Sequence, residues 1–143
     1  IYGYYHDHGV ELVIHHSDSY CANLLPTMIG MGIDVWQGCM KSNDVPALIE
    51  KYGGKITFMG EIDNKQVDFD GWTQADCEKA AVEAMERCGM KYFIPCITQG
   101  GPGSLYEGTY KGLWDAIDRY NCRKFGHQQA DIEAARMPIN IMF

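Results

Sequence analysis

The segment at residues 10–18, which reads VELVIHHSD, constrains the fold of this chain more than any other stretch. It is a short apolar run that ends in four polar residues able to do chemistry: His15, His16, Ser17 and Asp18. In parallel α/β folds a buried strand presents such groups at its carboxyl end, just before a helix. The sequence therefore predicts a strand over residues 11–16 with a functional site at its end.

Three later segments repeat this arrangement. Residues 33–37, 55–60 and 91–96 are short apolar runs, and each is followed by apolar residues at helical spacing. Strands that alternate with helices predict an α/β fold, with four consecutive βα units, a parallel sheet and right-handed crossovers.

Two of the helices have a clear predicted inner face. The helix near residues 73–89 begins with Thr73 and Asp76, which resemble a capping box. Its predicted buried residues are Cys77, Ala80, Ala81, Ala84, Met85 and Cys88. In the last clear helix the predicted inner face is Tyr106, Tyr110, Leu113, Trp114 and Ile117. Residues 137–143 are predicted to pack as an extended tail.

The length of 143 residues is enough for one domain with its own core. Four βα units can form a small doubly wound domain, or half of an eightfold (β/α) barrel, which typically has about 250 residues. A half barrel would leave two strand edges unpaired and its interior exposed, so it would need its missing half or a second copy of itself. The chain begins at Ile1 rather than methionine, which favours a sequence that lacks its original start.

Composition excludes several classes of function. The formal net charge of −7 argues against a nucleic-acid partner, because no basic stripe is present to neutralise phosphates. No apolar run approaches the roughly 18 residues of a membrane span, and no signal-peptide layout is present, so we expect a cytoplasmic protein without a membrane partner. The six cysteines are scattered without a CxxC pair and are predicted to be free thiols.

Four segments, taken in order, resemble the C-terminal half of the uroporphyrinogen decarboxylase superfamily, which also contains the corrinoid-linked methyltransferases. They are IHHSD at residues 14–18, LPTMIGMGIDV at 25–35, KITFMGEID at 55–63 and YFIPC at 92–96. The similarity extends over about residues 8–121. It implies that the chain is the C-terminal half of a (β/α)8 TIM barrel, with the N-terminal half absent.

The resemblance also bears on chemistry. Porphyrinogen decarboxylases carry an Asn-Leu-Gly-His-Gly-type motif after the last strand, but residues 94–100 here read IPCITQG and lack the histidine. The zinc methyltransferases carry a His-x-Cys motif at the first of these strands and a further cysteine after the last. This implies zinc ligands His15 and Cys96, with Glu61 or Asp18 as a third, and Ser17 in the place of a cysteine.

The candidate site residues follow from strand ends and from this resemblance. His15 and His16 alternate in direction, so only one can face a barrel axis, and the resemblance selects His15. The predicted catalytic residues are His15, Asp18, Glu61 and Asp63. The predicted substrate-binding residues are Ser17, Gln37 and Gln99.

Structural alternatives remain open for each of these residues. Both histidines can be satisfied by nearby backbone groups, Asp18 can be a helix cap, and Gln37 can hold a loop. Cys96 can be an inert buried thiol. The glycine-rich segment at residues 99–104 fits a lid or an anion-binding turn.

Three functions are consistent with the sequence. The first is methyl transfer between a small acceptor and a corrinoid carried by a partner protein. The second is decarboxylation of uroporphyrinogen in porphyrin biosynthesis. The third is a non-catalytic half barrel that works only as an assembly, which the serine at position 17 and the absent half favour.

Overall fold

The computed structural model describes residues 1–100 and 103–135. Within them, strands and helices alternate along the chain. The strands are β1 (Ile14–His16), β2 (Val35–Cys39), β3 (Thr57–Ile62) and β4 (Phe93–Ile97). The helices are α1 (Tyr2–Asp7), α2 (Leu25–Gly30), α3 (Val45–Tyr52), α4 (Gln74–Cys88), α5 (Thr109–Phe125) and α6 (Gln129–Ala135).

The four strands form one parallel sheet in the order β1-β2-β3-β4. The register places His15 beside Trp36 and Trp36 beside Phe58, which in turn pairs with Phe93. The prediction of an α/β fold with four successive strands in a parallel sheet is confirmed.

One face of the sheet carries the core. Trp36, Phe58 and Phe93 point to that face and belong to a single buried cluster with the apolar residues of α2, α3, α4 and α5. Because side chains alternate along a strand, the next residues in each strand belong to the opposite face. That opposite face carries Ile14 and Ile94, which are 54% and 42% exposed.

Helix α4 matches its prediction. The Thr73 and Asp76 side chains form the capping box, and all six predicted inner residues are buried. Helix α5 matches its prediction in part. Leu113 is buried and Ile117 packs against the core as predicted, but Tyr110 and Trp114 are exposed. The reason is close packing: a Cβ at Gly112 would lie 2.8 Å from the ring of Trp72, so only a small residue fits there.

The strands begin later than predicted. β2, β3 and β4 start at residues 35, 57 and 93, two residues beyond the predicted starts at 33, 55 and 91. The polar residue Glu61, expected in a loop after β3, therefore lies within that strand. Residues 137–143, predicted as an extended tail, lie outside the described residues.

Two further features concern the whole described chain. In residues 1–100 and 103–135, no helix combines the length and apolar character required to cross a membrane. All six cysteines are free thiols, as predicted.

Candidate functional site

A pocket of about 760 Å³ opens at the carboxyl ends of the strands, on the face of the sheet away from the helices. Its floor is made by strand residues and its wall by the segment that leads into α5. The described residues that line it are His16, Gln37, Met59, Cys96, Ile97, Thr98, Gln99, Gly100, Gly103, Leu105, Tyr106, Glu107, Gly108 and Tyr110.

His16, Gln37 and Cys96 form a row of polar groups across the pocket floor. The Nδ1 atom of His16 hydrogen-bonds to Oε1 of Gln37. Because an amide oxygen only accepts hydrogen bonds, Nδ1 must carry the proton. The Nε2 atom of His16 is therefore the ring nitrogen left for a ligand, and its tautomer is fixed by Gln37.

Cys96 presents a neutral thiol to this row. Burial raises its pKa to about 11, although a hydrogen bond with Gln37 acts in the opposite direction. The Sγ atom donates to the carbonyl oxygen of Ile97 at 3.1 Å. A thiol with so high a pKa is protonated at neutral pH and is a weak nucleophile. The thiol therefore suits a wall position better than an attacking one.

His15 does not join this row. It shares a face with Trp36, and its Nδ1 lies 2.7 Å from the hydroxyl of Tyr2 in α1. The expected orientation of the two histidines is thus reversed, because the register of β1 against β2 pairs His16, not His15, with Gln37. His15 and Cys96 consequently lie on opposite faces of the sheet.

Ser17 and Asp18 follow His16 in sequence and are not among the described residues that line the pocket. The Ser17 hydroxyl contacts the Cys21 thiol at 3.1 Å, and the Ser17 carbonyl accepts from Nε1 of Trp36 at 2.9 Å. A Cβ at Gly38 would lie 2.7 Å from that carbonyl oxygen, and Gly38 has a φ of 96°. The glycine thus allows the β1 loop to approach β2.

The side chain of Asn43, which follows β2 in the chain, holds the loop after β1 in place. The Asn43 side chain accepts hydrogen bonds from the backbone N–H groups of Cys21 and Ala22, and it donates to the carbonyls of Ser19 and Met40. Asn43 therefore caps the 3-10 turn at Ala22–Leu24, while no side-chain hydrogen bond caps α3.

Glu61, predicted to line the mouth, is fully buried on the helix side of the sheet. Its Oε1 atom lies 3.0 Å from Nη1 of Arg87 in α4, but neither carboxylate oxygen receives a well-directed hydrogen bond. Burial raises the pKa of Glu61, and the charge of Arg87 acts against that rise. Simple alternation fails here because Glu61 has a φ of 70° and turns out of the strand pattern.

Asp63 and Gln99 occupy the neighbouring loops. Asp63 is exposed and accepts from the backbone N–H of Lys65 at 3.0 Å, so it caps the short turn at Asn64–Gln66. Gln99 lines the pocket, and its backbone is held on both sides by the Asn64 amide, at 2.7 and 3.1 Å.

The residues present do not fit the implied zinc site. The predicted ligands His15 and Cys96 are separated by the sheet. Across residues 1–100 and 103–135, no three His, Cys, Asp or Glu side chains are grouped so that they could hold a metal ion. We therefore derive no chemical step through zinc.

The wall of the pocket contains residues that the sequence did not mark as functional. Tyr106 and Tyr110 were expected in the core face of α5, yet both line the pocket and are about half exposed. Glu107 lies between them in sequence. The available signal was the glycine-rich segment just before these residues, which indicates a loop that covers a site.

The chain was compared with models of protein families and with curated proteins, and it matches none of either.

Proposed function

We propose that this chain is half of a (β/α)8 barrel enzyme that transfers a methyl group from a small methylated compound, with a corrinoid protein as the methyl acceptor. The observation that carries the proposal is the pocket at the strand ends, with a histidine of fixed tautomer in an otherwise mainly apolar lining. Parallel α/β folds place their active sites at this end of the sheet.

Strand order and helix placement support the barrel over a doubly wound domain. A doubly wound sheet reverses its strand order at a switch point and carries helices on both faces. Here the order is sequential, and the helices contribute to a single cluster on one face. A barrel segment has both of these properties, with its helices outside and its site inside.

The roles of the pocket residues follow from their contacts. When a methyl group leaves a nitrogen or oxygen atom, the bond breaks and the electron pair stays on that atom. Because Nδ1–H is held by Gln37, His16 can give a proton to that atom only from Nε2 of its imidazolium form, and Gln37 holds the ring in position for that transfer. The partner's corrinoid would supply the methyl acceptor; Met59 and Cys96 would exclude water from the floor of the pocket.

Charge favours methyl transfer over porphyrinogen decarboxylation. Uroporphyrinogen carries many carboxylates, and carboxylates are bound by arginine and lysine side chains. Among the described residues that line the pocket there is no arginine or lysine, and Glu107 is negatively charged. Decarboxylation would depend on cations from outside these residues.

The test supplies the protein at its full native length with cob(I)alamin and a small methylated compound, and it follows the cobalamin spectrum as methylcobalamin forms. We expect His16→Ala to lower the rate by roughly 10²-fold or more, as for loss of a general acid. His15→Ala is the matched control, since it removes the contact with Tyr2 on the other face. Loss of activity in folded His15→Ala, with His16→Ala unaffected, would refute the assignment, as would no transfer at all.

Open strand edges favour a second candidate, a half barrel that works only as an assembly. Tyr92 accepts from Phe58, and Thr98 donates to Ile62, so the N–H and C=O groups of residues 93, 95 and 97 point away from β3. Within residues 1–100 and 103–135 no strand pairs with this edge of β4. Pro95, which has no N–H to donate, lies there as expected for an edge strand. Light scattering on this chain discriminates: a stable monomer of 16.1 kDa contradicts an obligate assembly.

A further inference from the structure

We propose that the pocket binds a methylated ammonium group, which Tyr106, Tyr110 and Glu107 recognise. The claim that this ammonium group is the methyl donor rests on the proposed function. As a statement about binding, the inference stands on the composition of the pocket wall alone.

The charge of the pocket lining favours a cationic ligand. The described lining residues include one carboxylate, that of Glu107, and no lysine or arginine. The chain as a whole carries a net charge of −7. A cationic ligand is therefore attracted to this opening, and an anionic one is repelled.

The wall of the pocket carries two exposed tyrosines. Tyr106 and Tyr110 are about half exposed, and both line the pocket. Tyr106 lies three residues before α5 and Tyr110 lies in its first turn. The ring of Tyr110 packs against Trp114 with 5.3 Å between centroids. The backbone N–H of Tyr106 is bound to Asp68 at 2.8 Å, which fixes this end of the wall. Exposed aromatic rings are the groups that recognise quaternary ammonium ions, and Glu107 lines the same pocket.

The floor of the pocket also suits a methylated nitrogen. A methylated nitrogen held by the tyrosines would direct its methyl groups toward the apolar and weakly polar groups of Met59 and Cys96. When one C–N bond breaks, the methyl group passes to the acceptor without its bonding electrons. The nitrogen keeps the pair and leaves as a neutral amine.

The test compares choline with 3,3-dimethylbutan-1-ol, a neutral molecule of the same shape, by isothermal titration of the full native-length protein. We expect choline to bind about tenfold more tightly, because the cation–π and carboxylate contacts act only on the charged ligand. Equal affinity for the two ligands, or no binding of choline, would overturn the proposal.

Variants locate the contact. Tyr110→Leu and Glu107→Gln should each weaken choline binding several-fold and leave binding of the neutral alcohol unchanged. Tyr4→Leu and Glu50→Gln are the matched controls, since both residues are exposed on helices that do not line the pocket. If these controls weaken binding as much as the pocket variants, the site lies elsewhere and the proposal fails.

The outcome separates the two proposals. Selective choline binding without any methyl transfer would remove the proposed function and retain the ammonium site. Methyl transfer from oxygen-linked methyl groups, with no selective binding of choline, would retain the function and refute this inference.

Discussion

Replacing Arg87 by methionine is the sharpest test of the structure. The change leaves the carboxylate of Glu61 fully buried and without its cationic partner. Removing one member of a buried ion pair typically costs 3–5 kcal/mol. Because the Arg87 side chain is 38% exposed and water can reach it, we expect the lower end, about 3 kcal/mol, or a fall in melting temperature of roughly 10 °C.

The opposite change should be much milder. Glu61→Met removes the buried charge and leaves Arg87 at the surface, where its guanidinium can be hydrated. We expect a cost of no more than about 1 kcal/mol. The double variant, with methionine at both positions, should be within about 1 kcal/mol of the unchanged protein, since apolar residues of similar volume often replace buried pairs without loss.

The pH dependence follows from the raised pKa of Glu61. Burial is the main cause of that rise, and a raised carboxyl pKa means that the folded protein binds the proton more tightly than the unfolded chain. The free energy of unfolding therefore falls as pH rises from the unfolded pKa to the folded one. Arg87→Met should extend this fall to higher pH, and Glu61→Met should abolish it.

Urea unfolding at pH 5 and pH 8, followed by circular dichroism, measures all of these quantities. The reasoning is refuted if Arg87→Met costs less than about 1 kcal/mol at pH 8, or if Glu61→Met is the more damaging of the two single changes. Lys111→Met is the control, because its i,i+4 pair with Asp115 is exposed on the lysine side and should contribute little.

Three further changes can be measured in the same way. Asn43→Ala removes four hydrogen bonds to backbone groups and should cost about 2–3 kcal/mol in urea unfolding. Gly38→Ala places a Cβ against the carbonyl of Ser17 at a φ of 96°, so it should destabilise by about 1–3 kcal/mol and reduce ligand binding in calorimetry. The hydrogen bond to Gly32 raises the pKa of His6. Its stabilising effect is therefore present below about pH 6.5 and is lost as pH rises through the folded pKa. The difference in free energy of unfolding between the unchanged protein and His6→Gln should narrow toward pH 9.

Regular periodicity is what the sequence could predict. The six buried positions of α4 follow strict helical spacing behind a capping box, and the structure confirms each one. The parallel order of the strands follows from their alternation with helices. In α5 the same spacing is right for Leu113 and Ile117 but wrong for Tyr110 and Trp114. Gly112 and the ring of Trp72 pack so closely that no large residue fits there.

The site was harder to predict because it lies where periodicity breaks. The pairing of β2 with β3 shifts register between Gln37 and Cys39, and Glu61 takes a positive φ. Beyond each irregularity an odd-numbered residue that alternation assigns to the pocket turns to the core instead. Cys39 and Glu61 are therefore buried, while Gln37, before the irregularity, faces the pocket.

The same reasoning decides which histidine belongs to the site. A motif comparison gives the order of the residues, but it does not show which face of the sheet each side chain occupies. A shift of one residue exchanges the two faces. The backbone N–H of Ser17 donates to the carbonyl of Gln37 at 2.9 Å, and His16 pairs with Gln37 in the register. In this register His16 faces the pocket and His15 packs against α1. The structure therefore places His16, and not His15, at the pocket, and a measured rate for His15→Ala tests that placement directly.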